Sequence, residues 1–156
     1  MVKFEIGNLL DAPVDYICHQ VNCQGRMGSG IAKQIRERHP EVYISYDKMC
    51  ADYLWKASPL LGNIDIIQLI NSEQYIVNMF AQEYYGYDGK RYTSYDAFWI
   101  CLGKIKEQIP KGSKIGFPAK IGCGLGGANW EVIFRMIEQV LGEDYEVYIY
   151  MLEEEM

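Results

Sequence analysis

The amino-acid sequence has 156 residues, 49% of them hydrophobic and 23% charged, with a net charge of −6. Such a chain has the size and composition of one ordinary globular domain over residues 1–156, and its acid excess argues against general nucleic-acid binding, which relies on clustered Lys and Arg. No apolar run approaches the roughly 20 residues of a membrane span, and the opening Met1-Val2-Lys3-Phe4-Glu5-Ile6 lacks a signal-peptide layout, so the expectation is a cytoplasmic protein.

Lys3 to Ile6 alternates and predicts a first strand. Asp15 to Val21 is a second, mostly apolar, ending at Asn22. Gly30 to Arg38 predicts a short helix that stops before Pro40. Glu41 to about Lys56 is loosely helical. Ile64 to Ile70 and Gln74 to Phe80 are Ile- and Val-rich strands joined by a hairpin-like turn at Asn71-Ser72-Glu73.

Gly86 to Thr93 reads as a polar loop carrying Lys90 and Arg91, and Ser94 or Thr93 can cap the next helix. There Tyr95, Phe98, Trp99, Leu102, Ile105 and Ile109 recur at three- and four-residue steps, making one apolar face. Lys114 to Pro118 is a short strand. Trp130, Ile133, Phe134, Ile137 and Leu141 mark a last helix, and Glu146 to Leu152 a last strand. The order β-β-α-α-β-β-α-β-α-β predicts a three-layer α/β/α domain with a mixed, mostly parallel sheet of about six strands.

Two glycine-rich loops stand between a strand and a helix. The first is Gln24-Gly25-Arg26-Met27-Gly28-Ser29-Gly30, the second Gly122-Cys123-Gly124-Leu125-Gly126-Gly127. Glycine lets a ligand approach the backbone closely, and a helix start adds free N–H groups and the positive end of a dipole. Two such loops brought together can hold a diphosphate. The second also matches G-x-G-x-x-G, but that fingerprint opens a dinucleotide domain, and here one helix and one strand follow it.

Other candidates have two readings. Asn22 either bonds a sugar hydroxyl or closes its own turn. His19 is either a titrating group beside a ligand or a hydrogen-bonded core histidine sharing a face with Ile17 and Val21. Arg26 contacts a phosphate or is solvated, and His39 is expected at the surface. Five cysteines, an odd number without a CxxC pair, read as buried thiols. Cys18, His19 and Cys23 fall short of the four ligands zinc wants, so neither metal nor cofactor is expected.

The stretch from His19 to Ala32 resembles the first ligand loop of macrodomains. Within that family it is similar to the branch of terminal ADP-ribose glycohydrolases and ADP-ribose 1″-phosphate phosphatases. Phe117 to Trp130 resembles their second, phosphate-binding loop. The resemblance implies ADP-ribose or ADP-ribose 1″-phosphate in a cleft at the strand ends. Asn8 and Leu9 would meet adenine. Asn22, Arg26, Met27, Gly28, Ser29, Gly30 and Ile31 would lie by the distal ribose and diphosphate, with Ile121, Gly122, Cys123, Gly124, Leu125 and Gly126 as the second loop.

The departures are informative. Asn8 stands where the branch usually has an Asp. The glycohydrolases' Lys after the fourth strand and Asp in the second loop are both missing, from Asn78-Met79-Phe80-Ala81-Gln82 and Gly124-Leu125-Gly126-Gly127. His19 falls where the phosphatases carry a His, which implies an acid–base or water-orienting role. The first expectation is therefore hydrolysis of ADP-ribose 1″-phosphate to ADP-ribose and phosphate. The alternatives are a non-catalytic ADP-ribose reader, or release of ADP-ribose from a protein or nucleic acid without the Lys–Asp pair.

Overall fold

Six strands form one sheet: β1 (Val2–Ile6), β2 (Tyr16–Asn22), β3 (Ile64–Gln68), β4 (Tyr75–Gln82), β5 (Lys114–Pro118) and β6 (Glu146–Met151). Their spatial order is β1-β6-β5-β2-β4-β3, with β3 antiparallel to β4 and every other pairing parallel. The helices are α1 (Gly30–Arg38), α2 (Pro40–Asp52), the single turn α3 (Ala57–Leu60), α4 (Tyr95–Gln108) and α5 (Trp130–Leu141). This computed structural model describes residues 1–155, without the side chains of Ala57, Ser58 and Glu155. No helix among them is long and apolar enough to cross a membrane.

Strand side chains alternate between faces, and the alternation sorts the core into two halves. Cys18, Val77, Met79, Phe117, Val147 and Ile149 pack under α4 and α5. Ile17, Val21, Ile76 and Phe80 pack under α1, α2 and a 3-10 turn at Leu9–Asp11. The sheet is thus covered on both faces, as an α/β sandwich requires, and the predicted three-layer architecture is the one observed.

Local chemistry explains most boundaries. Ser94 Oγ accepts from the Ala97 N–H at 3.1 Å and caps α4. Asn129 does the same for α5, accepting from Glu131 and Val132. Pro40 opens α2 directly after α1, where a missing N–H is harmless.

Four expectations need adjustment. Trp99 lies off the buried stripe of α4 and is 43% exposed, while Phe98, Leu102 and Ile105 are fully buried. The helix expected to about Lys56 stops at Asp52, because Leu54 and Trp55 take left-handed backbone angles (φ 54° and 59°). β3 ends at Gln68, since the turn closes earlier through Leu69 N–H to the Gln74 carbonyl. β4 runs two residues past Phe80 to Gln82.

The α4 cap gives a direct test. Ser94→Ala is expected to destabilise the fold by about 1 kcal/mol, read as a lower urea midpoint with an unchanged m-value.

Candidate functional site

β2 and β5 are neighbours in the sheet, yet the helices that follow them leave to opposite faces, α1 to one and α5 to the other. Such a switch in connection opens a crevice at the carboxyl ends of the strands. A cavity of about 490 Å³ lies there. Gly7 to Leu9 flank one end, the α1 start at Ser29, Gly30 and Ile31 one wall, and the Ile121-to-Gly126 loop the other. A smaller cavity of about 230 Å³ shares Gln20, Ser29, Ala32, Gln82 and Leu125 with it and adds Asn22, Arg26, Gly28, Tyr85 and Tyr87. The second cavity extends the first beyond the two loops.

The first loop is held by Asn22. Its Oδ1 accepts from Gln24 N–H at 3.0 Å, from Arg26 N–H at 3.3 Å and from the Tyr46 hydroxyl at 2.8 Å, and its Nδ2 donates to the Arg26 carbonyl. The amide therefore shapes the turn. Tyr46, on the buried face of α2, also donates to the Asn22 carbonyl at 2.7 Å, and burial pushes its hydroxyl pKa up. Gly25 has φ +76°, and a Cβ there would meet the Trp55 ring at 2.6 Å. Ser29 precedes α1 without a side-chain cap, so the first amides of that helix remain available.

The second loop is held from behind by the 86–93 segment. Tyr92 and Thr93 amides donate to the Gly126 carbonyl at 2.8 and 3.0 Å, and the Thr93 hydroxyl donates to the Gly122 carbonyl at 2.8 Å. The Ala128 amide closes the loop onto the same Gly122 carbonyl. Those bonds turn carbonyls backwards. The Gly124, Leu125 and Gly126 amides bond no acceptor among the described residues and stand at the cavity wall. A Cβ on Gly126 would fall 2.5 Å from both Gly122 O and Thr93 Oγ1, so this position needs glycine.

The strand ends contribute two residues that the sequence reading missed, Gln20 and Gln82. Gln20 Nε2 donates to Gln82 Oε1 and to Thr93 Oγ1, each at 2.7 Å, and Gln82 Nε2 donates to the Tyr84 carbonyl. Gln20 Oε1 is buried and unbonded among the described residues. Their signal was present in principle: each is a polar residue at or next to the carboxyl end of an apolar strand.

Of the predicted residues, Asn8, Leu9, Ser29, Gly30, Ile31, Ile121, Gly122, Gly124, Leu125 and Gly126 line the main cavity. Asn22, Arg26 and Gly28 line its extension. Asn8 Oδ1 accepts from Leu10 N–H at 3.0 Å and caps the 3-10 turn. Arg26 lies over the Tyr85 ring, 6.0 Å from its centroid. Three predicted residues stand apart. Met27 is buried in the core beneath the loop. Cys123 is half-buried, points its thiol at the Ile121 carbonyl, and is pushed up to about 11 by burial. His19 lines neither cavity.

His19 is fully buried on the α1–α2 side of the sheet, with Nε2 2.5 Å from Asn78 Oδ1 on the paired strand and Nδ1 unbonded. Burial lowers its pKa to about 4, with the Asn78 bond opposing, so the ring is neutral near pH 7. The polar run continues to Asp65 on β3, which Ser45 of α2 holds at 2.8 Å. Burial pushes the Asp65 carboxyl up, and the Ser45 and Asn78 side chains oppose that. Cys18, one residue earlier, faces the other layer, so it and His19 cannot converge on a metal. His39 is partly buried, and burial lowers its pKa.

Comparison with known proteins agrees with this geometry. Residues 18–137 match the Macro domain model. The chain belongs to the Macro domain family. This macrodomain is 28% identical over 133 residues to the DNA ADP-ribosyl glycohydrolase of Mycobacterium tuberculosis, across 84% of the chain and 36% of that protein. It is 26% identical to the ADP-ribose 1″-phosphate phosphatase of Saccharomyces cerevisiae, across 91% of the chain and 94% of that protein. Among solved structures, the macrodomain of Thermus aquaticus DarG superposes with a TM-score of 0.77 at 26% identity, covering 96% of this chain and 97% of the other. The chain spans only 36–41% of the length of the bacterial glycohydrolases that it matches.

The buried imidazole of this macrodomain makes a pH test. The folded state holds His19 at about 4, whereas the unfolded chain protonates it near 6.5. The unfolded state then binds more protons between these values, so stability is full above about pH 6.5 and is lost as pH falls toward 4. The loss amounts to roughly 3 kcal/mol at its limit. Urea midpoints at pH 7.5 and pH 5 should show a steep drop that His19→Gln flattens, leaving the smaller slope of His39.

Proposed function

We propose that this chain binds ADP-ribose in the cleft and hydrolyses ADP-ribose 1″-phosphate to ADP-ribose and phosphate. The observation that carries the reading is the pair of amide-bearing loops facing each other across the cavity, a setting that suits a diphosphate. Asn8 then lies at the adenine end. Gln20, with an unbonded buried oxygen, and Arg26 lie at the distal-ribose end.

The distal end favours phosphate-ester cleavage over the lysyl route. Gln82 and Gly124 to Gly127 occupy the stretches where the glycohydrolases of the branch keep their Lys and Asp. The similarity to the yeast phosphatase runs over nearly the full length of both chains. In the proposed reaction, water attacks phosphorus and the bond from phosphorus to the 1″ oxygen breaks. The electron pair goes to that oxygen, which ends up with the proton released by the water. Phosphoryl transfer of this kind depends chiefly on positioning and on balancing charge over the phosphoryl oxygens. Arg26 and the loop amides supply both.

His19 enters this reading as a positioning residue. Through Asn78 it fixes β2 against β4, and so sets Gln20 beside the cleft. One observation favours a second reading, binding without turnover: among the residues lining the two cavities there is no carboxylate, imidazole or thiol.

Phosphorus NMR of ADP-ribose 1″-phosphate with the protein separates the two. Growth of free phosphate with the diphosphate signals intact is the expected result. Broadened diphosphate signals with no free phosphate would move the function to a reader, or to removal of ADP-ribose from a macromolecule. Unchanged signals would refute the cleft assignment. Arg26→Ala should lower kcat/KM about tenfold to a hundredfold, the scale of one charge-assisted hydrogen bond. Gly126→Val should abolish ligand broadening while the chain stays folded.

A further inference from the structure

β1 is one edge of the sheet, paired with β6 alone, and it is uncovered to an unusual degree. Phe4 is 58% and Ile6 57% exposed. An open edge with apolar side chains is a template for another strand, and proteins that avoid pairing blunt such edges with inward charges or cover. The opposite edge, β3, does carry an inward charge, Asp65 bonded to Ser45. The apolar face of β1 has none.

The backbone shows which groups of β1 are open. In the parallel ladder, the Val147 amide donates to the Met1 carbonyl and the Gly7 amide to the Met151 carbonyl. With the two-residue repeat of a strand, Met1, Lys3, Glu5 and Gly7 turn their main-chain groups to β6. Val2, Phe4 and Ile6 turn theirs outward.

We propose that two copies of this chain associate through β1, antiparallel and centred on Phe4, so that the two sheets join edge to edge. A two-fold axis pairs an edge strand with itself in the antiparallel sense. Centred on Phe4, it sets Phe4 opposite the partner's Phe4, Val2 opposite the partner's Ile6, and Ile6 opposite the partner's Val2. These are the residues whose N–H and C=O groups point outward, so they form the hydrogen-bonded pairs. Lys3 falls opposite the partner's Glu5, and Glu5 opposite the partner's Lys3. These are non-hydrogen-bonded pairs, where side chains come closest.

The register is selected by charge. A slip of two residues one way sets Lys3 against Lys3, and the other way Glu5 against Glu5, both destabilising. A slip of one turns closed backbone groups toward the partner and moves the apolar residues to the wrong face. On that apolar face each Phe4 ring already lies 5.4 Å from Phe134, itself 5.8 Å from Trp130. The joined edges bring two such aromatic rows side by side.

Sedimentation velocity from low micromolar to several hundred micromolar protein tests the proposal. The expected result is a mass that rises with concentration from the 18.0 kDa monomer to twice that. Lys3→Glu alone and Glu5→Lys alone each put like charges across both pairs, and each should weaken dimerisation about tenfold or more. The Lys3→Glu/Glu5→Lys double variant restores opposite charges and should recover wild-type affinity. Both side chains are exposed, so these variants keep the fold, checked by circular dichroism. A chain that stays monomeric throughout overturns the proposal. So does a dimer in which the single and double swaps behave alike.

Discussion

The side-by-side placement of β2 and β5 is the constraint on which the cleft depends. Each strand ends in a glycine-rich loop, and each loop feeds a helix that departs to a different layer. Had both helices gone to one face, the loops would crowd each other and no crevice would open between them. Diverging, they leave a gap between two sets of backbone amides. The binding field is then built from main-chain dipoles, which is how a chain with net charge −6 can offer an anion a favourable seat.

Main-chain donors are useful only if they are held still, and the protein holds them with side chains from elsewhere. Asn22 and Tyr46 set the first loop from below. Thr93 and the amides beside it pull the second loop's carbonyls away from the cavity. Gln20 ties these supports together, donating both to Thr93 and to Gln82. The polar residues nearest the cleft thus act largely on the loops and on one another.

Beneath the cleft, buried His19 and Asn78 and half-buried Asp65 form a polar row across β2, β4 and β3. Removing an imidazole from water disfavours its charged form, and the neutral ring bonds Asn78. The His19–Asn78 bond disfavours a register slip between β2 and β4, because a slip would strand both buried side chains without it.

Much of this was legible in the residues alone. Element order followed from periodicity, from Pro40 and from the glycine loops, and the cap at Ser94 follows a local rule that no distant contact overrides. The glycine loops announced an anion seat because glycine's freedom and helix starts are local properties. Four things depended on the tertiary structure. Period two gives His19 a face of the sheet, but only the stacking of α1 and α2 made that face the sealed one and turned Gln20 to the cleft. Asn22 had two possible partners, and the chain's return through Tyr46 chose its own loop. Gln82 acquired a role when β4 came to lie beside β2, and the exposure of Phe4 followed from β1 falling at the edge. Local sequence determines conformation and periodicity. Which face is buried, and which residues meet, is decided by packing between segments far apart in the chain.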